Sequence, residues 1–300
     1  MVVIDTSPLD AFALDSYSLD WVSVQLTVAY DLHTRSLIAW RFTPRSTKGV
    51  DVVMLLYDLL RPKVMRRGWP DSARWPYVGV PESVVLELVE DTKDPDADRA
   101  LGVAGVPVVR PDSLVVDRGR VYLSQAFKDA CERLGISIQL ARPRRPTDKS
   151  HIESVFNAIR EDFVQGLPGY KGADLHSRGA QSMVEDKAFY FIDEIESLFA
   201  EWVATYWQKR PHAGLDFPEL PRLPLCPNDM YEQGLAKAGF PYIVPDSRMY
   251  FELLPTEWRV IDDRGVQVNN LLYDGDILEE FRNQKSGIWG GASWPLAHSR

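Results

Sequence analysis

Three acidic residues occupy positions where chemistry is possible. Asp5 interrupts the apolar run Val2-Val3-Ile4, and a charge inside a strand is unfavourable unless paired or metal-bound. Asp117 ends the short apolar run Ser113 to Val116, at the strand end where open α/β sheets place their ligand-binding residues. Glu153 lies one turn into an amphipathic helix, with 35 residues between it and Asp117. Taken singly, each is ordinary: an Asp at a strand end is usually a turn residue, and a Glu in a first helical turn compensates the helix dipole. Together they are a set of hard oxygen ligands. Such a set suits phosphoryl transfer by two divalent cations, one activating the attacking oxygen and the other stabilising the leaving oxygen. Mg²⁺ takes one or two carboxylates plus waters and substrate phosphates, so three carboxylates suffice for two ions.

The elements that must position these residues are legible in the apolar spacing. Val2 to Leu14, Ser23 to Asp31 and Ser36 to Thr43 read as an antiparallel meander. Helical spacing follows at Val50, Val53, Met54, Tyr57 and Leu60, with Thr47 as the expected cap and Pro62 as the stop. Residues 63–110 read as an insertion that includes an acidic run, Glu87 to Asp98. A strand, helix, strand unit with parallel pairing is expected from Ser113 to Ala141, its helix running from Ser124 to Leu134 and closing at Gly135. The Glu153 helix begins near Lys149 with the stripe Ile152, Val155, Phe156, Ile159 and Phe163, and a second amphipathic helix spans Asp193 to Tyr206. A proline-rich connector, 211–246, carries one short helix, and the tail MYFELL, WRVID, GVQVNN, GDILEEF reads as short β-strands.

Composition narrows the classes. The 300 residues are 45% hydrophobic and 26% charged, which suits a folded chain of about one to three domains. No run approaches the roughly 18 to 20 apolar residues of a membrane span, and the N-terminus lacks the basic stretch of a signal peptide, so a cytoplasmic protein is expected. Cys131 and Cys226, with five scattered histidines, exclude a zinc finger and a disulfide scaffold. With 34 Lys+Arg against 43 Asp+Glu, a net charge of -9, nucleic acid cannot be held by bulk charge. Any DNA contact must be local.

VVIDTSPLDAFALD, LTVAYDLHTRSLIAWRFTP, LVVDRGRVYLSQAFKDACERLGI and RPRRPTDKSHIESVFNAIREDF resemble, in order, the first-Asp strand, the next two strands, the second-Asp segment and the Glu helix of DDE transposase and retroviral-type integrase catalytic cores. The likeness is closest to the phage Mu-type branch, and LPGYKGAD, YWQKRPHAGL and the tail are also similar to it. The resemblance implies an RNase H-like α/β core, a mixed five-stranded sheet flanked by helices, over 1–210. After the 211–246 connector, 247–300 would start a small, incomplete β-barrel domain. It implies Asp5, Asp117 and Glu153 as ligands for two Mg²⁺ or Mn²⁺ ions, and hydrolysis at an element end followed by strand transfer into target DNA. DNA ends and target, a homo-oligomer assembled on DNA and a partner ATPase are the implied partners.

By the same resemblance Lys149 and Arg160 lie along a DNA-facing helix edge, which agrees with 149, 153, 156 and 160 sharing a face. Arg142, Arg144 and Arg145 precede that helix and suit phosphate contacts, which position DNA without reading its sequence. His151 points away from Glu153 and is expected to be non-catalytic, and Asp10 and Asp31 are read as turn or hairpin residues. Trp69, Trp75 and Tyr77 are expected to pack the insertion onto the core.

The sequence departs from the family pattern at Arg118, where Asn usually follows the second Asp; with Arg120 close behind, this cation beside the site could contact a DNA phosphate or weaken metal binding, and the acidic insertion could cover the active site or join a partner subunit. No helix-turn-helix precedes the first strand, so a piece of a longer protein is expected. Two other functions fit the same residues: a nuclease that only cuts, and a non-catalytic assembly module.

Overall fold

The computed structural model describes residues 1–81, 102–141, 150–171, 190–217, 223–239, 247–268, 270–284 and 293–297. Alternation of side chains along the strands builds two cores, one on each face of a central sheet. β1 (Val2–Leu14) pairs antiparallel with β2 (Trp21–Asp31), and β2 with β3 (Leu37–Pro44). β4 (Ser113–Val116) then joins β1 in parallel, and β5 (Ser137–Leu140) joins β4 in parallel. The five strands lie in the order β3-β2-β1-β4-β5. Order and directions fit the RNase H-like α/β core that the resemblance implies. β1 shifts register between Pro8 and Phe12, where proline supplies no ladder donor.

One face, with Val2, Ile4, Ile38, Leu114 and Val116, is covered by α1 (Gly49–Leu60) and α2 (Gln125–Arg133). The other, with Val3, Leu26, Val28, Trp40 and Phe42, is covered by α3 (Ser150–Asp162) and α4 (Ile192–Thr205), through Ile152, Val155, Ile159, Ile195, Phe199 and Val203. Ser124 caps α2, its hydroxyl accepting the Phe127 N–H at 3.3 Å. Gly135 at φ 66° lets the chain turn directly into β5. At α1 the cap differs from expectation. Asp51 accepts the Lys48 backbone N–H at 2.6 Å, while the Thr47 hydroxyl lies 3.0 Å from Thr43 and 3.3 Å from Thr27, joining the sheet instead.

The described ends of the insertion fold against each other. Val64 bridges Val103, Arg74 bridges Ala104, and Val78, Val80, Val103 and Val108 form a satellite core. Trp75 packs on that core 6.0 Å from Tyr77, and Trp69 packs on the main core. The acidic run lies outside the described residues.

A fifth helix, α5 (Pro227–Ala238), matches the short connector helix, but two tail segments differ from the β reading. MYFELL lies in α6 (Ser247–Leu253) and the turn that follows it. Met249, Tyr250, Leu253 and Leu254 fall on one helical face and pack against the α1 side, with Tyr250 5.5 Å from Tyr57. GDILEEF holds a 3₁₀ turn, Asp276–Phe281, in which Leu278 and Phe281, three residues apart, pack on one small cluster while Ile277 is exposed. The remaining tail strands pair as β6 (Thr256–Val260) with β9 (Ser293–Ala297), and β7 (Val266–Val268) with β8 (Leu271–Tyr273). Among the described residues no helix is long and apolar enough to cross a membrane.

Candidate active site

The parallel β1/β4 register ends with Ile4 opposite Val116, so the next residues, Asp5 and Asp117, emerge side by side on strands about 4.8 Å apart. Both share parity with Val3 and Val115, which pack on the α3/α4 face, so both carboxylates sit on that face. Each is half-buried and accepts a backbone hydrogen bond. Asp5 Oδ1 accepts the Thr6 N–H at 3.0 Å and Asp117 Oδ1 accepts the Gly119 N–H at 2.7 Å. A Cβ on Gly119 would lie 2.7 Å from Asp117 Oδ1, so glycine is what lets this loop close on the carboxylate.

Thr6 points to the opposite face, where its hydroxyl lies 2.8 Å from the Tyr122 hydroxyl and 2.9 Å from Thr27. Tyr122 thereby ties the loop after Asp117 to the strand carrying Asp5. Burial raises the Tyr122 phenol pKa; the Thr6 bond opposes this, and the fields of Asp5 and Asp117 add to it. Both carboxylates therefore act on one phenol. Tyr122→Phe is expected to lower stability by about 1 kcal/mol, because one partly buried hydrogen bond is lost while Thr6 keeps Thr27. Urea unfolding checks this; an unchanged midpoint would remove the tether.

Glu153 is exposed on α3, in the layer that the two aspartates face. Phe156, Ile159 and Arg160 line a crevice with Ser7 to Asp10, and His151 Nδ1 lies 3.4 Å from Arg35 in the turn beside the start of β1. α3 therefore runs alongside β1, and Glu153 shares a helical edge with Phe156 and Arg160. Among the described residues, however, no three His, Cys, Asp or Glu side chains converge closely enough to hold a metal. Asp5 and Asp117 are brought together; Glu153 shares their layer and stands outside the pair.

The cations divide. Arg118 is exposed directly after Asp117. Arg160 donates from Nε to Asp10 Oδ2 at 2.7 Å and from Nη1 to Asn157 at 3.2 Å, so Asp10 anchors α3 to β1. Lys149, Arg142, Arg144 and Arg145 lie outside the described residues. Asp31 caps its turn, accepting the Thr34 N–H at 2.9 Å and the Thr34 hydroxyl at 2.8 Å. Gly119, Tyr122 and Thr6 were not singled out in the sequence. Only the Asp-x-Gly of the loop after β4 hinted at them.

Residues 104–169, which include Asp117 and Glu153, match the family model of the TnsB C-terminal domain. Over 186 residues, 59% of the chain, the sequence is 25% identical to the Transposon Tn7 transposition protein TnsB of Escherichia coli. This chain is similar to a transposase. It covers 26% of that protein's length. Among solved structures, it aligns over 91% of its length with 66% of a chain of the simian T-cell lymphotropic virus intasome in complex with PP2A regulatory subunit B56 gamma, at 14% identity and TM-score 0.37. It aligns over 78% of its length with 95% of the BIV integrase catalytic core domain, at 10% identity and TM-score 0.36. At such scores the fold assignment rests on the strand order and register.

Proposed function

We propose that this chain is the catalytic core of a DDE DNA transposase of the Mu-type branch, hydrolysing a phosphodiester at an element end and joining the freed 3′-hydroxyl to target DNA. The observation that carries the reading is the pairing of Asp5 and Asp117 on one face of neighbouring parallel strands, in a chain similar to a transposase. Two half-buried carboxylates side by side are hard oxygen ligands of the kind that fit a divalent cation such as Mg²⁺ or Mn²⁺. Asp5 and Asp117 would hold it, and Glu153 would complete a second site on approach of α3. Divalent ions bound there would supply Lewis-acid activation of the attacking oxygen and stabilise charge on the leaving oxygen.

The chain's own contribution is positional. Gly119 N–H and Tyr122 hold the Asp117 loop, and Arg118 stands ready for a DNA phosphate. Lys149, Arg142, Arg144 and Arg145 would position the backbone, and Arg160 would do so in exchange for Asp10. The same reading makes 1–210 the core and 211–246 a connector, with 247–300 beginning a small β-barrel. Its partners would be DNA ends and target, further copies assembled on DNA and an ATPase, with cytoplasmic DNA as the setting.

The test is a pre-cut DNA end with a free 3′-hydroxyl, mixed with supercoiled plasmid and Mn²⁺, together with diffraction from Mn²⁺-soaked crystals. A joined product, or an anomalous peak between Asp5 and Asp117, supports the reading. Plasmid cut without joining would assign a nuclease instead, and crystals with no ion at the pair would remove the metal site. Gly119→Ala is expected to lower Mn²⁺ affinity about 10- to 100-fold by displacing the Asp117 carboxylate. A Mn²⁺ titration followed by electron paramagnetic resonance checks this.

A further inference from the structure

A second polar cleft opens at the β3 edge of the sheet, away from the aspartate pair. Its volume is about 270 Å³, and it lies where β3, the end of α1, residues 61–69 and α4 meet. That is just below the roughly 300 Å³ at which small-molecule sites begin, a size suited to one charged group. Arg41, Arg61, Lys63 and Arg66 line it against two acids, Asp58 and Glu196.

Much of this positive charge is not locally compensated. Asp58 is engaged by Arg41, whose Nε lies 2.7 Å from Oδ2. The contact is off the line of the N–H bond, so this buried donor lacks an aligned acceptor among the described residues. Lys63 Nζ donates to two carbonyls, Asp58 O at 2.7 Å and Arg61 O at 3.4 Å. Carbonyls leave its charge unneutralised, and the ammonium also lies 5.8 Å from the centre of the Trp40 ring. Burial lowers the Lys63 pKa to about 8, although Asp58 opposes the shift. The Arg66 carbonyl accepts the Trp69 N–H at 3.2 Å, and its guanidinium, with that of Arg41, acts on Glu196 by field alone, lowering the pKa of that carboxyl against its burial.

We propose that this cleft is a phosphate-binding site in which Lys63, Arg66 and Arg41 grip one phosphate group from three sides. An ammonium and two planar guanidinium forks suit a tetrahedral anion with several acceptor oxygens better than a two-oxygen carboxylate. The phosphate could come from a DNA backbone or from a free phosphate compound. Asp5 is paired with Val28, and Val28 with Trp40 in the cleft wall. The Trp40 wall is therefore about 10 Å across the sheet from Asp5.

The experiment titrates the full chain, and its Lys63→Met and Arg66→Gln variants, with inorganic phosphate by ³¹P NMR and with a labelled DNA duplex by anisotropy. Acetate serves as the carboxylate control. Each variant is expected to bind phosphate about tenfold or more weakly, the weight of one charge-assisted hydrogen bond. Binding to the unaltered chain should weaken as pH rises through about 8, where Lys63 loses its proton. Glu196, whose carboxyl pKa burial raises with Asp58 adding to the rise, contributes opposing charge once ionised. A parallel loss of DNA affinity identifies a backbone phosphate; unchanged DNA affinity with lost phosphate binding identifies a free phosphate compound. No phosphate binding by the unaltered chain, equal binding by the variants, or equal competition by acetate would overturn the site. Melting curves of both variants close to that of the unaltered chain show that any loss is local.

Discussion

Asp117→Asn is expected to reduce metal-dependent joining or cleavage by about a thousandfold or more, since metal catalysis is worth several kcal/mol at the transition state. The fold should survive, because Asn keeps the shape and can still accept the Gly119 N–H. Stability supplies a readout that does not depend on turnover. In the unaltered chain two carboxylates emerge on neighbouring strands, where a divalent cation would be bound by the native state alone. Mn²⁺ should therefore raise its melting temperature, as any ligand specific to the native state does. The Asp117→Asn chain should melt at the same or a slightly higher temperature without metal and gain little when metal is added, and Asp5→Asn should behave alike. Near-normal cleavage by either variant would refute the two residues as ligands. An equal Mn²⁺ increment in all three chains would place the ion elsewhere.

Local signals carried most of the architecture. Ser124, the apolar spacing of α2 and Gly135 announced the strand, helix, strand unit, because caps and periodicity act over a few residues. The stripe of α3 was equally plain: Ile152, Val155 and Ile159 all enter the core. MYFELL was ambiguous for the same reason. Six residues fit either period, and only the α1 surface waiting for Met249, Tyr250 and Leu253 decides for a helix. At the site, Asp5 and Asp117 stood out as charges ending apolar runs, whereas the Thr6–Tyr122 contact joins residues 116 apart and left no mark along the chain. Arg160 shows the same limit. Its position on the helix edge was readable, but its bond to Asp10, 150 residues away, was not.

Trp207→Ala is the substitution expected to affect stability most, by about 3–5 kcal/mol, the range for removing a large buried aromatic. Trp207 is 2% exposed and packs against Tyr30, Trp202 and His212 at ring distances of 6.5, 5.7 and 4.9 Å. Its indole N–H donates to Arg35 O at 3.0 Å in the turn between β2 and β3. Next to it, Gln208 donates to Leu37 O at 2.7 Å, and Arg210 stacks its guanidinium 4.5 Å from the Trp207 ring while pairing with Asp162 at the end of α3. YWQKRPH therefore clamps the β2–β3 turn to the helix that carries Glu153. Thermal unfolding should show a drop of at least about 6 °C, from 2–4 °C per kcal/mol in domains of 150–250 residues. Trp207→Phe, which keeps most of the ring packing and loses the bond to Arg35, should fall by about 1–3 kcal/mol. If the clamp positions α3, hydrogen exchange in residues 151–162 will speed up in Trp207→Ala more than in β1, which the sheet holds independently. Equal acceleration in both would make Trp207 a packing residue alone, and Glu153 would owe its place on the aspartate face to Ile152, Val155 and Ile159.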